Sequence, residues 1–130
     1  MVSLRILIAD DKPLVRTGLR MLLERHQDWT ICGEAEDGIE AVEQSVALKP
    51  DVILLDISMP KLDGLTAVPL IREKVPDAAI IILTLYQSVN MARIAAHAGA
   101  TAYITKSLLT KNLVPAIENL QAEKNLSWVD

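Results

Sequence analysis

The chain has few residues that could stabilise a fold from outside an ordinary hydrophobic core. Its one cysteine, Cys32, excludes an internal disulfide and a multi-cysteine metal site. It has no phenylalanine and only 3% aromatic residues, although 51% of its residues are hydrophobic. The core of this 130-residue chain must therefore be aliphatic, which is typical of one domain with a parallel sheet covered by helices.

Basic clusters and long apolar runs are also missing. The net charge of −4, without a lysine- or arginine-rich patch, makes this chain by itself a poor nucleic-acid binder. We find no apolar run of membrane-spanning length and no signal peptide before the first predicted strand, so we expect a cytoplasmic protein with no membrane partner. The first strand is not followed by a glycine-rich phosphate-binding motif, which argues against a nucleotide- or flavin-binding protein.

Short aliphatic runs alternate five times with helical patterns, which predicts an α/β fold with a doubly wound, five-stranded parallel sheet and five helices. Pro69 falls inside the third predicted helix, where we expect a late start or a distorted turn, and Pro115 falls inside the fifth. We assign residues 1–122 to one domain and residues 123–130 to a frayed tail or the start of a linker. The predicted strands are 4–9, 29–36, 52–55, 79–84 and 101–105, and the predicted helices are about 13–25, 38–49, 65–74, 88–97 and 110–122.

Polar residues stand at the carboxyl ends of four of these strands. Asp10 and Asp11 follow the first strand, Asp56 ends the third, Thr84 ends the fourth and Lys106 follows the fifth. Because parallel strands end at one edge of the sheet, we expect these side chains to share a cleft. Three carboxylates there would repel one another unless a hard cation bound them. The sequence therefore predicts a Mg²⁺ site, in which Mn²⁺ could substitute.

The same set of residues suits phosphoryl transfer. A carboxylate such as Asp56 is a competent nucleophile toward a phosphoryl group. The ammonium group of Lys106 and the hydroxyl of Thr84 could each hold a phosphoryl oxygen. Taken singly, each residue has an ordinary structural explanation: a turn aspartate, a solvated lysine, a β-branched strand residue. We expect Glu36 and Asp37, after the edge strand, to be simply solvated.

These residues and their neighbours resemble the receiver domain of two-component response regulators, the CheY-like family. The resemblance covers about residues 4–121 and implies the strand order 2-1-3-4-5. It implies that a sensor histidine kinase donates the phosphoryl group. The motifs that carry it are Ile-Ala-Asp10-Asp11, Leu-Leu-Asp56-Ile-Ser-Met-Pro with Asp63-Gly64, Ile-Leu-Thr84, and Ala-Gly-Ala-Thr-Ala-Tyr103-Ile-Thr-Lys106.

The resemblance also implies a role for each acidic residue at the site. Asp56 is the implied phospho-acceptor. Asp11, Asp56 and the backbone carbonyl of Ser58 are the implied direct ligands of Mg²⁺, and Asp10 acts through a metal-bound water.

Thr84 and Lys106 are the implied phosphoryl-binding residues, and Thr84 and Tyr103 form the implied switch. Tyr103 is expected to turn inward when Thr84 moves toward the phosphate. The alternative is that Tyr103 is an ordinary half-buried strand aromatic.

Three residues near the implied acceptor are candidates for tuning access to it. Ser58 and Tyr86 occupy the positions that control hydrolytic water, and the bulk of Tyr86 predicts a long-lived phosphoryl group. Leu85 is large for its position and is expected to slow small phosphodonors. Lys106 is followed by Ser107 where many receivers have proline, so a cis bond is not assumed there.

The last motif, with no proline after its lysine, is most similar to NarL/FixJ (LuxR-type) transcriptional regulators. That likeness implies a longer protein that binds DNA only through an output domain absent from this chain, and a homodimer that forms on phosphorylation. A stand-alone receiver acting through protein contacts is the alternative, as is a receiver that binds a partner without phosphorylation. A haloacid-dehalogenase-type phosphatase is disfavoured, because Ser58 stands where that family needs a second aspartate. We expect no enzyme activity beyond the chain's own phosphorylation and dephosphorylation.

Overall fold

A computed structural model describes residues 3–127 of the chain, with side chains described through residue 123. Its five strands form one sheet in the order β2-β1-β3-β4-β5, and each neighbouring pair is parallel. This is the predicted order. The strands are β1 (Leu4–Ala9), β2 (Trp29–Ala35), β3 (Val52–Asp56), β4 (Ala79–Thr84) and β5 (Ala102–Thr105).

Helices cover both faces of the sheet and separate the hydrophobic core into two clusters. Helices α1 and α5 close one cluster, and α2, α3 and α4 close the other. Within residues 3–127, no helix combines the length and the apolar character needed to cross a bilayer. The helices are α1 (Pro13–Leu23), α2 (Gly38–Leu48), α3 (Gly64–Lys74), α4 (Val89–Ala98) and α5 (Leu109–Ser127), and a 3₁₀ turn, Lys106–Leu108, precedes α5.

The central strands β3 and β4 are buried along their whole length. Their unbroken aliphatic sequences suit this position, because a central strand of a two-sided sheet is covered by helices on both faces. Asp56 and Thr84 are the last residues of these strands and are therefore held by the fully buried centre of the sheet.

The two prolines inside helices do not shorten them. Helix α3 begins at Gly64, so the late start expected from Pro69 is wrong. The Asp63 carboxylate caps this helix by accepting the backbone N–H of Thr66 at 2.8 Å. Pro69 and Pro115 both lie on exposed helix surfaces, where a missing backbone N–H does not leave a gap in the core.

Helix α2 buries its small residues rather than its large apolar ones. Gly38, Ala41 and Ser45 face the core, and Ile39 and Val46 are 46% and 40% exposed. The helix therefore lies close to the structure beneath it. Helix α5 extends through Ser127, beyond the predicted boundary at residue 122, and the rest of the predicted tail, residues 128–130, lies outside the described residues.

Candidate functional site

Asp10 is fully buried immediately after β1, and all of its polar atoms are engaged. Its carboxylate accepts the backbone N–H of Lys12 at Oδ1 (2.9 Å) and the ammonium group of Lys106 at Oδ2 (2.9 Å). Its backbone carbonyl accepts a hydrogen bond from Arg16 at 2.7 Å, and its N–H donates to the carbonyl of Ala35. The first of the predicted acidic residues is thus rigidly oriented.

Lys106 lies between two of the carboxylates. Its Nζ atom is 2.9 Å from Asp10 Oδ2 and 3.2 Å from Asp56 Oδ1, and its side chain is only 10% exposed. Burial alone would lower the pKa of Lys106, but the hydrogen bond to Asp10 and the charges of Asp56 and Asp10 outweigh burial and raise it. Lys106 is therefore a cation at neutral pH.

Asp56 is 2% exposed at the end of β3. Burial and, next, repulsion from Asp10 raise the pKa of Asp56, and the nearby charge of Lys106 only partly offsets them. One lysine does not neutralise this group of acids.

Among the described residues, two oxygens of the acidic group have no hydrogen-bond partner. These are the buried atoms Asp11 Oδ1 and Asp56 Oδ2, and the cation that pairs with Asp11 Oδ1 is Lys12, at 3.7 Å. One oxygen from each of Asp10, Asp11 and Asp56 lies within 4.8 Å of the other two. Unpartnered buried carboxylate oxygens in a group with excess negative charge are what a hard divalent cation requires. These residues therefore fit Mg²⁺.

Thr84 and Tyr103 are joined through the backbone of one residue. The Thr84 hydroxyl accepts the N–H of Tyr86 at 3.3 Å, and the Tyr103 hydroxyl donates to the carbonyl of Tyr86 at 3.2 Å. Thr84 is buried, and the half-buried ring of Tyr103 packs against the core beneath α2, α3 and α4. The loop after β4 is thus linked both to the end of its own strand and to β5.

The three candidate tuning residues face solvent. Ser58 is exposed, and the side chains of Leu85 and Tyr86 are 61% and 77% exposed. The Lys106–Ser107 bond is trans, as are the other peptide bonds of residues 3–127. The structure thus brings Asp10, Asp11, Asp56 and Lys106 together and places Thr84 at the adjoining strand end.

Two residues that support the site were missed by the sequence analysis. Asp37 is not simply solvated: it is 8% exposed and caps α2 by accepting the Glu40 N–H at 2.8 Å. That hydrogen bond is the main cause of the lowered pKa of Asp37. The side chain of Arg16 is only 11% exposed. It donates to the Asp10 carbonyl at 2.7 Å and to Glu34 Oε1 at 3.0 Å, and so links these two residues. The Asp-Gly start of α2 signalled the cap, whereas no local pattern marks Arg16.

Comparison with known proteins assigns most of the chain to one family. The response regulator receiver domain matches residues 6–118. YxjL of Bacillus subtilis (strain 168), named an uncharacterized transcriptional regulatory protein, is 38% identical over 115 residues, which are 88% of this chain and 53% of YxjL. The nitrate/nitrite response regulator NarL of Escherichia coli K12 is 33% identical over 117 residues, covering 90% of this chain and 54% of NarL.

Solved structures give the same result. The crystal structure of a LuxR-family two-component response regulator from Aurantimonas sp. SI85-9A1 superposes with a TM-score of 0.88 at 37% identity, covering 93% of this chain and 86% of that one. This chain spans about half the length of the curated relatives above.

Proposed function

Because the chain belongs to the family of response regulator receiver domains, we propose that Asp56 accepts a phosphoryl group from a phosphohistidine of a sensor histidine kinase. The chain is a receiver domain of a two-component response regulator related to transcriptional regulators. The observation that carries the proposal is the state of Asp56: Oδ1 is paired with Lys106, and Oδ2 is buried without a partner. One oxygen is held in place and the other is available for reaction.

In the transfer, Asp56 Oδ2 attacks phosphorus and the bond between phosphorus and the histidine nitrogen breaks. The bonding electron pair returns to the imidazole, and the product is an acyl phosphate. The positive charge of Lys106 compensates charge on the phosphoryl oxygens. Later attack by water on phosphorus releases inorganic phosphate and regenerates the Asp56 carboxylate.

Asp11, Asp56 and the backbone carbonyl of Ser58 would hold Mg²⁺, with Asp10 acting through a water. An ion held there would neutralise the repulsion among the carboxylates and would stabilise charge on the phosphoryl group. Support for the ion comes from the unpartnered Oδ1 of Asp11 and from the three grouped carboxylates, whose negative charge exceeds the single positive charge of Lys106.

The switch begins with the hydrogen bond between the Thr84 hydroxyl and the Tyr86 N–H. When Thr84 turns to donate to a phosphoryl oxygen, its hydroxyl oxygen moves away from Tyr86. The carbonyl of Tyr86 accepts the hydrogen bond of the Tyr103 hydroxyl. A movement of Thr84 is therefore transmitted to Tyr103 on β5 through the backbone of Tyr86. This couples a local charge change to the surface of α4, β5 and α5.

The output is transcriptional regulation through a DNA-binding domain beyond this chain, with homodimer formation on phosphorylation. YxjL, which is named a transcriptional regulatory protein and is about twice as long as the matched segment, supports this part of the proposal. We place the protein in the cytoplasm beside the kinase domain of its partner. We propose no steady turnover of an external substrate, because Ser58 offers no carboxyl group two residues after Asp56.

The test is the intact mass of the protein after incubation with a small phosphodonor and Mg²⁺. A gain of one phosphoryl group is expected in the wild type, and none in Asp56→Asn or in a sample with chelator. Asp63→Asn, in the same loop region but exposed, is the matched control that should gain the group normally. No gain from the small donor or from a phosphorylated histidine kinase would overturn the proposal.

A further inference from the structure

Two helices beside the site begin in the same way. Asp37 caps α2 and Asp63 caps α3, and in each helix the next residue is a glycine, Gly38 or Gly64. Neither glycine has a left-handed φ. The backbone conformation is therefore open to any residue, and something else requires glycine at the two positions.

At Gly38 the requirement is space. A Cβ atom there would overlap the carbonyl oxygen of Leu62 and lie 2.5 Å from its carbonyl carbon. The Gly38 N–H points to the carbonyl of Pro60 at 3.4 Å. The loop between β3 and α3, residues 57–63, thus rests its backbone directly on the first turn of α2.

The same loop is fixed at its two ends by backbone contacts. The Gly64 N–H donates to the carbonyl of Ile57 at 2.8 Å, and the Ile57 N–H donates to the carbonyl of Leu83 at 3.2 Å. A Cβ on Gly64 would overlap the carbonyl oxygen of Asp56. Between these ends Ser58 is exposed, Met59 is buried in the core and Leu62 packs against it, so the loop is positioned by these side chains together with its backbone contact on α2.

We propose that Gly38 is a positioning residue for the metal site. The lack of a side chain at Gly38 lets the loop settle against α2, and this contact sets where the Ser58 carbonyl lies relative to Asp11 and Asp56. An ion pair of 3.4 Å between Lys61 and Asp37 holds the same two segments together. The inference rests on the proposed function, in which that carbonyl is a Mg²⁺ ligand.

The test compares two glycine-to-alanine variants. Gly38→Ala must move the loop, whereas a Cβ added at Gly18 on exposed α1 meets no described atom within 4 Å. Mg²⁺ affinity is measured by calorimetry without any phosphodonor, and phosphorylation is then followed across a range of Mg²⁺ concentrations. Gly38→Ala should raise the Mg²⁺ dissociation constant about tenfold, the low end for residues that support metal ligands. Its phosphorylation rate should recover at saturating Mg²⁺, and Gly18→Ala should match the wild type.

A purely structural role predicts a different result. Gly38→Ala would then have a lower melting temperature with an unchanged Mg²⁺ dissociation constant, and this outcome overturns the proposal. If Gly38→Ala does not fold, Leu62→Ala is used instead: it removes the side chain that packs the same loop against the core beneath α2 and should raise the constant severalfold. No change there also overturns the proposal. A wild-type protein that binds no Mg²⁺ removes the metal site itself and the inference with it, whereas normal binding with an unaltered Gly38→Ala removes only the inference.

Discussion

The charged groups at the two edges of the sheet differ in how completely they are hydrogen-bonded. We call the edge where the strands begin the amino edge, and the edge where they end the carboxyl edge. At the amino edge, Arg72 donates to the carbonyls of Gly99 (2.8 and 3.1 Å), Pro76 (2.8 Å) and Ala78 (2.5 Å). One guanidinium group thereby joins α3 to the segments before β4 and β5. At the carboxyl edge, Asp56 is buried, and its Oδ2 atom has no hydrogen-bond partner in the part of the chain that the structure describes.

This difference separates residues that stabilise the fold from residues that act. A buried polar group that is fully hydrogen-bonded stabilises one arrangement of the chain. A buried carboxylate with a raised pKa does the reverse, because the folded state must hold a charge that burial and Asp10 oppose. Charge repulsion at the carboxyl edge therefore lowers the stability of the fold, and a bound cation can restore it. Destabilising arrangements of this kind are expected at functional sites.

The largest effect should come from breaking the amino edge. Arg72→Met leaves the carbonyls of Gly99, Pro76 and Ala78 without their donor. Water can replace Arg72 at the exposed carbonyl of Pro76, but the part-buried carbonyls of Gly99 and Ala78 each cost about 1 kcal/mol or more when unsatisfied. We therefore expect the free energy of unfolding in urea to fall by about 2 kcal/mol. The Mg²⁺ dissociation constant of the folded variant should not change, since Arg72 lies at the opposite edge.

Arg72→Lys is the matched control, since it keeps the charge but lacks the planar group that reaches several carbonyls at once. Its loss of stability should fall between the wild type and Arg72→Met. A loss below about 1 kcal/mol in Arg72→Met, or an altered Mg²⁺ affinity, would contradict the separation of the two edges.

At the carboxyl edge, we expect a substitution to increase the stability of the fold and not to decrease it. Asp56 has a raised pKa, so the folded protein binds this proton more tightly than the unfolded chain does. Stability therefore falls as pH rises from about 4, the ordinary aspartate value, through the raised pKa. Without Mg²⁺ at pH 7, Asp56→Asn should be more stable than the wild type by about 1 kcal/mol, and the difference should vanish below pH 4.

Thermal unfolding at several pH values, with and without Mg²⁺, measures this effect. Mg²⁺ should raise the melting temperature of the wild type and have much less effect on Asp56→Asn. Asp77→Asn removes an exposed aspartate at the amino edge and should stay within about 0.5 kcal/mol of the wild type. Equal stabilisation by both substitutions would indicate a general charge effect instead.

The sequence was sufficient to predict the sheet and the grouping of the acidic residues. Unbroken aliphatic strands such as β3 and β4 have a local signature, and parallel topology then places Asp10, Asp56 and Thr84 at one edge. Neither step depends on side-chain packing, and both can be taken from patterns a few residues long.

The supports of the site were less predictable because they depend on distances between elements. The exposure of Ile39 follows from how closely α2 lies to its neighbours, which no helical pattern specifies. The reach of Arg72 to Gly99 joins residues 27 positions apart, and the sequence shows only a cation on a helix. Asp37 had a local signal as a cap, but its burial depends on the loop that contains Lys61.

The smallest effect concerns two lysines, one at each edge, that both adopt a left-handed backbone. Lys49 ends α2 with φ 47°, and Lys61 lies in the loop after β3 with φ 68°. Glycine relieves the strain of this conformation, so Lys49→Gly should stabilise the protein by about 0.5 kcal/mol. Lys61→Gly gains the same relief but loses the 3.4 Å ion pair with Asp37, which has a lowered pKa and is charged, so its net change should be near zero. Lys61→Ala separates the two contributions in urea unfolding, because it loses the ion pair and keeps the backbone strain. It should therefore be the least stable of the three variants. A Lys61→Gly variant as stable as Lys49→Gly would mean that the ion pair contributes nothing to holding the loop on α2.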